Sequence, residues 1–162
     1  MIHDIVQKVM ANMQIAGSVE GMHGVFQDMN DAIKASIEAQ KVVRNLSLDQ
    51  REKIISAIRR KTHENAEIIA NMGVNETGMG NVGDKILKHH LTADKTPGTE
   101  DLSTIAWSGD RGLTLVEMGP FGVIGAITPA TNPSETVICN SIGMIAGGNT
   151  VVFNPHPNAK KT

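Results

Sequence analysis

The run from Phe121 to Pro155 constrains the fold more than any other part of the chain. "FGVIGAI", "PSETVICNSIGMIAGG" and "NTVVFNP" read as a buried-type strand, a helix and a second buried-type strand. Two apolar strands joined by a helix pair in parallel, and such crossovers are almost always right-handed. Parallel strands need cover on both faces. The region from residue 112 onward, led by the β-rich "LTLVEM", is therefore expected to begin a doubly wound, Rossmann-like α/β sheet. It is expected to be truncated, because one or two parallel strands cannot complete such a sheet and Thr162 falls where the next helix is due.

Helical patterns occupy the chain before it. Met29, Ile33, Ile37 and Val43 recur at helical spacing within residues 27–45. In "SLDQREKIISAIRRKTHENAEIIANMG", Ser47 and Gln50 form a capping-box signature, Ile55, Ile58, Thr62, Ala66 and Ile69 make one stripe, and Gly73 is the expected stop. Its charged face mixes signs and reads as solvated surface. At the N-terminus, Ile2, Ile5, Val6, Val9, Met10 and Met13 mark a short amphipathic helix, followed by the Gly- and Ser-containing "IAGSVEGMHG". Such a tethered helix either docks on a partner or folds back on its own domain. The expected organisation is a helix at 1–15, a linker at 16–26, a helical region at 27–111 and the first sheet elements at 112–162.

Composition narrows the function. A formal charge of -2 gives no global attraction for nucleic acid or an anionic membrane, and 2 % aromatic residues leave few stacking platforms. No apolar run reaches the roughly 20 residues that span a bilayer, and the N-terminus lacks the basic head and unbroken apolar stretch of a signal peptide, so neither a membrane span nor export is expected. The single cysteine excludes an internal disulfide and suits the cytoplasm.

"GMGNVG" at 78–83 matches G-x-G-x-x-G, with Glu100 and Asp101 downstream, but a helix precedes it where a dinucleotide fingerprint needs a strand. It reads as a helix-to-helix connection. The histidines, including adjacent His89 and His90, show no metal-ligand spacing, and no metal site is expected. In "TPATNPSE", Asn132, Pro133 and Glu135 read as a helix start in which Asn caps, Pro takes the first position and Glu supports the open N–H groups. This turn lies at the carboxyl end of a parallel strand, where open α/β sheets bind ligands. Two readings stand: a plain cap, or a wall that holds a carbonyl oxygen or cofactor amide. "FNPHP" brings Asn154 and His156 out beside the same crevice. Cys139, two turns into the helix, has no neighbouring base in sequence and reads as a structural thiol.

Whole phrases, especially "PFGVIGAITPATNP" and "VVFNPHP" with "NETGMGNVGDKILKH" upstream, resemble the aldehyde dehydrogenase superfamily. Within it, residues 27–162 resemble the CoA-acylating aldehyde dehydrogenases of bacterial microcompartments, of the ethanolamine- and propanediol-utilisation type. The resemblance implies the aldehyde dehydrogenase fold and NAD-dependent oxidation of a short aldehyde, acetaldehyde or propionaldehyde, to acyl-CoA. It places the oxyanion-hole Asn on Asn132, with Thr131 as the alternative, because hydrolytic relatives carry that Asn two places before the Pro. Thr128, Pro129, Ala130 and Thr131 would line the nicotinamide side. Asn154, Pro155 and His156 would stand at the nucleotide, where hydrolytic members put Lys at the position of Asn154 and an acid near Pro157. Their loss suits a site that also accepts CoA. Residues 2–13 resemble an encapsulation peptide that binds a microcompartment shell protein, and the full-length enzyme would be a homo-oligomer. The nucleophilic cysteine would lie after residue 162, leaving this chain alone inactive. A rival reading, from a different class, is a non-catalytic targeting module that docks on a shell through its N-terminal helix.

Overall fold

The computed structural model describes residues 24–162. The amphipathic helix at 2–13 and the linker up to residue 23 lie outside the described residues, and with them the targeting role.

Helix α1 (Met29–Val43) starts where the Asp28 side chain accepts from the Asn30 N–H at 2.8 Å. Helix α2 (Leu48–Thr77) starts with the complete capping box, Ser47 and Gln50 each accepting the other's backbone N–H. Ile55, Thr62 and Ala66 of its stripe are buried, Ile58 and Ile69 half-buried. Gly73 does not end it. The helix runs on to Thr77 and stops at Gly78, whose left-handed φ of 68° closes the last turn. At Gly73 the helix passes Thr162 and Lys85 at a distance where a Cβ would make ordinary contact, 3.4 Å from Thr162 Cγ2 and 3.8 Å from Lys85 Cδ. Residues 78–81 of "GMGNVG" form the connection to α3 (Val82–Lys95), whose first turn takes the last two, and Asn81 caps it through the Asp84 N–H.

Helix α3 packs with an unexpected face inward. Lys85, His89 and Ala93 are buried, whereas Leu87 is 68 % and Leu91 59 % exposed. Arg59 of α2 holds its C-terminus, donating to the carbonyls of Ala93 (2.7 Å) and Thr96 (2.9 Å) and pairing with Glu100.

After a 3-10 turn at Thr99–Asp101, the chain makes an antiparallel hairpin, β1 (Ile105–Gly109) with β2 (Gly112–Val116). The "LTLVEM" run thus forms a strand whose partner, β1, the sequence did not reveal. A division at 111/112 falls inside the hairpin turn. Every residue of both strands is exposed. The parallel pair is separate: β3 (Val123–Thr128), helix α4 (Pro133–Ala146) and β4 (Thr150–Pro155), with Val123 opposite Thr150 and Thr128 opposite Pro155. This is the strand–helix–strand unit the sequence predicts.

The core lies between α2 and α4, where Ile55, Ile138, Ile142 and Ala146 meet Ile58, Leu102 and Ile145. Arg51 of α2 closes the end of α4 by donating to the Ala146 carbonyl at 3.1 Å. Gly148 next to it has a left-handed φ of 77°, which favours glycine, and a Cβ there would meet Arg51 Cζ at 3.0 Å, so that Arg51 would have to shift. Helix α1 reaches β4 through polar groups. Gln40 donates to the Gly148 carbonyl and accepts from the Thr150 N–H, and Ser36 donates to Thr150 Oγ1. Glu76 accepts from the Thr162 hydroxyl and the Lys161 N–H, and these bonds, Thr162's first, hold its carboxyl below the usual range.

No helix among the described residues is long and apolar enough to cross a membrane. Two parallel strands and a bare hairpin leave much apolar surface uncovered, with Phe121 96 % and Ile127 82 % exposed. The 162-residue chain alone is therefore expected to self-associate. Size-exclusion chromatography with light scattering checks this, and a stable monomer that unfolds cooperatively would refute it.

Candidate functional site

The parallel register sets the two strand ends side by side. Thr128 lies opposite Pro155, Ile127 opposite Asn154, and the His156 N–H donates to the Thr128 carbonyl at 3.1 Å. The turn 128–132 and the exit 154–156 therefore leave the same end of the sheet, as expected of a ligand crevice. Their side chains divide between the faces. Thr128 is buried and Asn154 exposed, and Asn154 lines a groove of about 490 Å³ with Ile127, Val152 and Met29, Ile33 and Ile37 of α1. Pro129 and Thr131 are exposed, Ala130 is buried, and Pro155 and His156 are exposed. His156 Nδ1 accepts from the Asn158 N–H at 3.1 Å, so that nitrogen closes its own turn.

Asn132 stands at the N-cap of α4 with φ -138° and ψ 61°, and Pro133 follows in the first turn, as read. Its side chain, however, makes no cap hydrogen bond. A Lys from α3 captures it instead: Lys88 Nζ donates to Asn132 Oδ1 at 3.0 Å. The Asn132 carbonyl accepts from the Thr136 N–H and hydroxyl. Among the described residues nothing accepts from Asn132 Nδ2. Two amide N–H groups at the carboxyl end of β3 thus remain free for a ligand oxygen.

Glu135 does not support the open N–H groups either. Its carboxyl turns inward, 6 % exposed, with Oε1 3.6 Å from Lys85 Nζ and Oε2 accepting from Ser134 Oγ at 3.2 Å. Lys85, 4 % exposed, donates to the Thr131 carbonyl at 3.1 Å. His89 completes the cluster, with Nδ1 2.6 Å from the Lys85 carbonyl and Nε2 2.9 Å from Ser134 Oγ. A carbonyl only accepts, which assigns a proton to Nδ1. Ser134 Oγ lies between His89 Nε2 and Glu135 Oε2 and, with one hydroxyl proton, donates to one of them at a time. Glu135 depends on Lys85 for its charge balance.

Sequence reasoning missed this cluster. Its signal was the spacing of Lys85, His89 and Ala93, which fall on one stripe at successive helical turns. The reading of Cys139 as a structural thiol also needs correction, because its side chain is exposed and fills no core among the described residues.

The exit from β4 carries no carboxylate of its own in sequence, and the nearest one at its far end is Glu76, bound to Lys161 and Thr162. No Asp or Glu occurs from residue 136 to 162, and Lys160 and Lys161 follow the β4 exit.

Residues 11–162 match the aldehyde dehydrogenase family. The chain is 46 % identical to an acetylating acetaldehyde dehydrogenase of Bilophila wadsworthia, with 99 % of this chain and 35 % of that protein covered. Among solved structures, it is similar to a propionaldehyde dehydrogenase from the Clostridium phytofermentans fucose utilisation bacterial microcompartment, at 78 % identity and a TM-score of 0.82 over 84 % of this chain and 31 % of that one. It is also similar to Rhodopseudomonas palustris propionaldehyde dehydrogenase with bound propionyl-CoA, at 52 % identity and a TM-score of 0.82, covering 85 % of this chain and 31 % of the other. The chain thus spans about a third of the length of these relatives.

Proposed function

The chain belongs to the aldehyde dehydrogenase family, and from that premise we propose that it supplies the N-terminal portion of a CoA-acylating aldehyde dehydrogenase acting on a short aldehyde such as acetaldehyde or propionaldehyde. The observation that carries the reading is Asn132, a cap-position Asn whose side chain does not cap and whose Nδ2 stays free beside the end of β3.

In this reading a cysteine thiolate from elsewhere in the full-length enzyme adds to the aldehyde carbon. Asn132 Nδ2–H donates to the carbonyl oxygen as it gains charge, and the buried Lys85–Thr131 contact keeps the turn in place. Thr128 to Thr131 form the wall on the nicotinamide side, and Asn154, Pro155 and His156 stand where nucleotide phosphate and ribose would lie. NAD, when bound, supplies the two-electron acceptor for the aldehyde C–H. The strand exit at residues 154–157, which has no carboxylate, suits coenzyme A, whose ribose 3′-phosphate a carboxylate there would repel. Residues 2–13 would dock on a microcompartment shell protein, and the full-length enzyme would work as a homo-oligomer.

The test is product analysis with propionaldehyde, CoA and NAD. The full-length enzyme carrying this segment is expected to form propionyl-CoA and NADH, whereas the 162-residue chain alone forms neither. Free propionate as the main product, or turnover by the isolated chain, would overturn the proposal.

A further inference from the structure

We infer that Lys88 is a positioning residue for the oxyanion donor: its ammonium group fixes the Asn132 carboxamide with Oδ1 toward α3 and Nδ2–H toward the reacting oxygen. The inference rests on the reading of Asn132 given above.

An amide side chain can be turned over at little steric cost, so Asn132 alone does not determine which of its ends meets the substrate. An ammonium group has three donors and no acceptor. At 3.0 Å it can face Oδ1 only, because the reversed amide would set donor against donor. Oxygen and nitrogen diverge from the same carbon, so holding one at α3 directs the other away from it. The arrangement also gives up the hydrogen bond that an Asn at the N-cap ordinarily makes to the first turn. The positive charge beside Oδ1 polarises the amide and strengthens Nδ2–H as a donor when charge develops on the substrate.

The geometry of α3 supports a shared purpose. Lys85 and Lys88 lie one helical turn apart, on neighbouring positions of one face. The first holds the main-chain carbonyl of Thr131 and the second the side chain of the next residue. Helix α3 thereby fixes both the path of the turn and the direction of its one polar donor. Lys85 is buried and part of the fold. Lys88 is exposed, so its aliphatic stem buries little and its replacement leaves packing intact.

Steady-state kinetics of the full-length enzyme test this. Lys88→Met is expected to lower kcat on the order of tenfold with KM for the aldehyde nearly unchanged, and Lys88→Arg to restore most of the loss. The decisive variant is Lys88→Met combined with Asn132→Ala, expected to be no slower than Asn132→Ala alone, because Lys88 acts through that side chain. If Lys88→Met keeps full kcat while Asn132→Ala loses it, the positioning role falls and the oxyanion reading stands. Additive losses would likewise sink it. If Asn132→Ala itself keeps full activity, the oxyanion reading falls and takes the inference with it.

Discussion

Asn132→Ala in the full-length enzyme is expected to lower kcat by about 10²- to 10³-fold, with little change in KM for the aldehyde. The size follows from what the side chain does and does not do. It makes no cap hydrogen bond, so its loss costs the helix start little. Its oxygen is engaged by Lys88, and only Nδ2 can meet a substrate. A donor that strengthens as the carbonyl oxygen gains charge acts on the transition state more than on the bound aldehyde, and therefore appears in kcat. Thr131→Val is the control for the alternative assignment. The Thr131 carbonyl is held by Lys85 whatever its side chain, and the side chain itself is exposed. A loss at Thr131 equal to or larger than that at Asn132 would transfer the role to Thr131.

Lys85→Met is expected to destabilise the fold by about 3–5 kcal/mol, since it strands the Glu135 carboxylate in a buried site. Lys85 and Glu135 are 4 % and 6 % exposed, and their charged atoms lie 3.6 Å apart, too long for a good hydrogen bond. The attraction is therefore mainly between charges, and among the described residues Glu135 has no other cation in contact. Removing both charges should recover most of the loss, so Lys85→Met with Glu135→Leu is expected to unfold closer to the parent than Lys85→Met alone. Chemical denaturation of the full-length enzyme gives the comparison. A single variant as stable as the parent would show that Glu135 is not charged in the folded protein.

What could be read from the sequence was what local chemistry decides. The start of α2 follows from Ser47 and Gln50, three residues apart, and the β3–α4–β4 unit from apolar runs separated by turn residues. Long-range partners decided the rest. Strand β1 has a short and mixed sequence, "IAWSG", and becomes a strand by pairing with β2. Gly73 has the composition of a stop but lies buried within α2, beside Lys85 and Thr162. Asn132 was rightly placed at the N-cap, yet its side chain answers to Lys88, 44 residues upstream. Lys85 and His89 look like a solvated face until Ser134 and Glu135 are brought against them. In each case the residue type announced a local role, and a contact distant in sequence replaced it.

The tie between α1 and β4 carries a consequence in time. Gln40 acts toward the start of β4 as a strand neighbour would, giving a donor to the Gly148 carbonyl and an acceptor to the Thr150 N–H. The two partners are 110 residues apart. At a synthesis rate of about 5–20 residues per second, roughly 5 to 20 s pass between their appearance on the ribosome. Until then the polar groups of Ser36 and Gln40 have only water as a partner. The first described helix to be made thus waits for the start of β4 before these polar groups are paired within the fold.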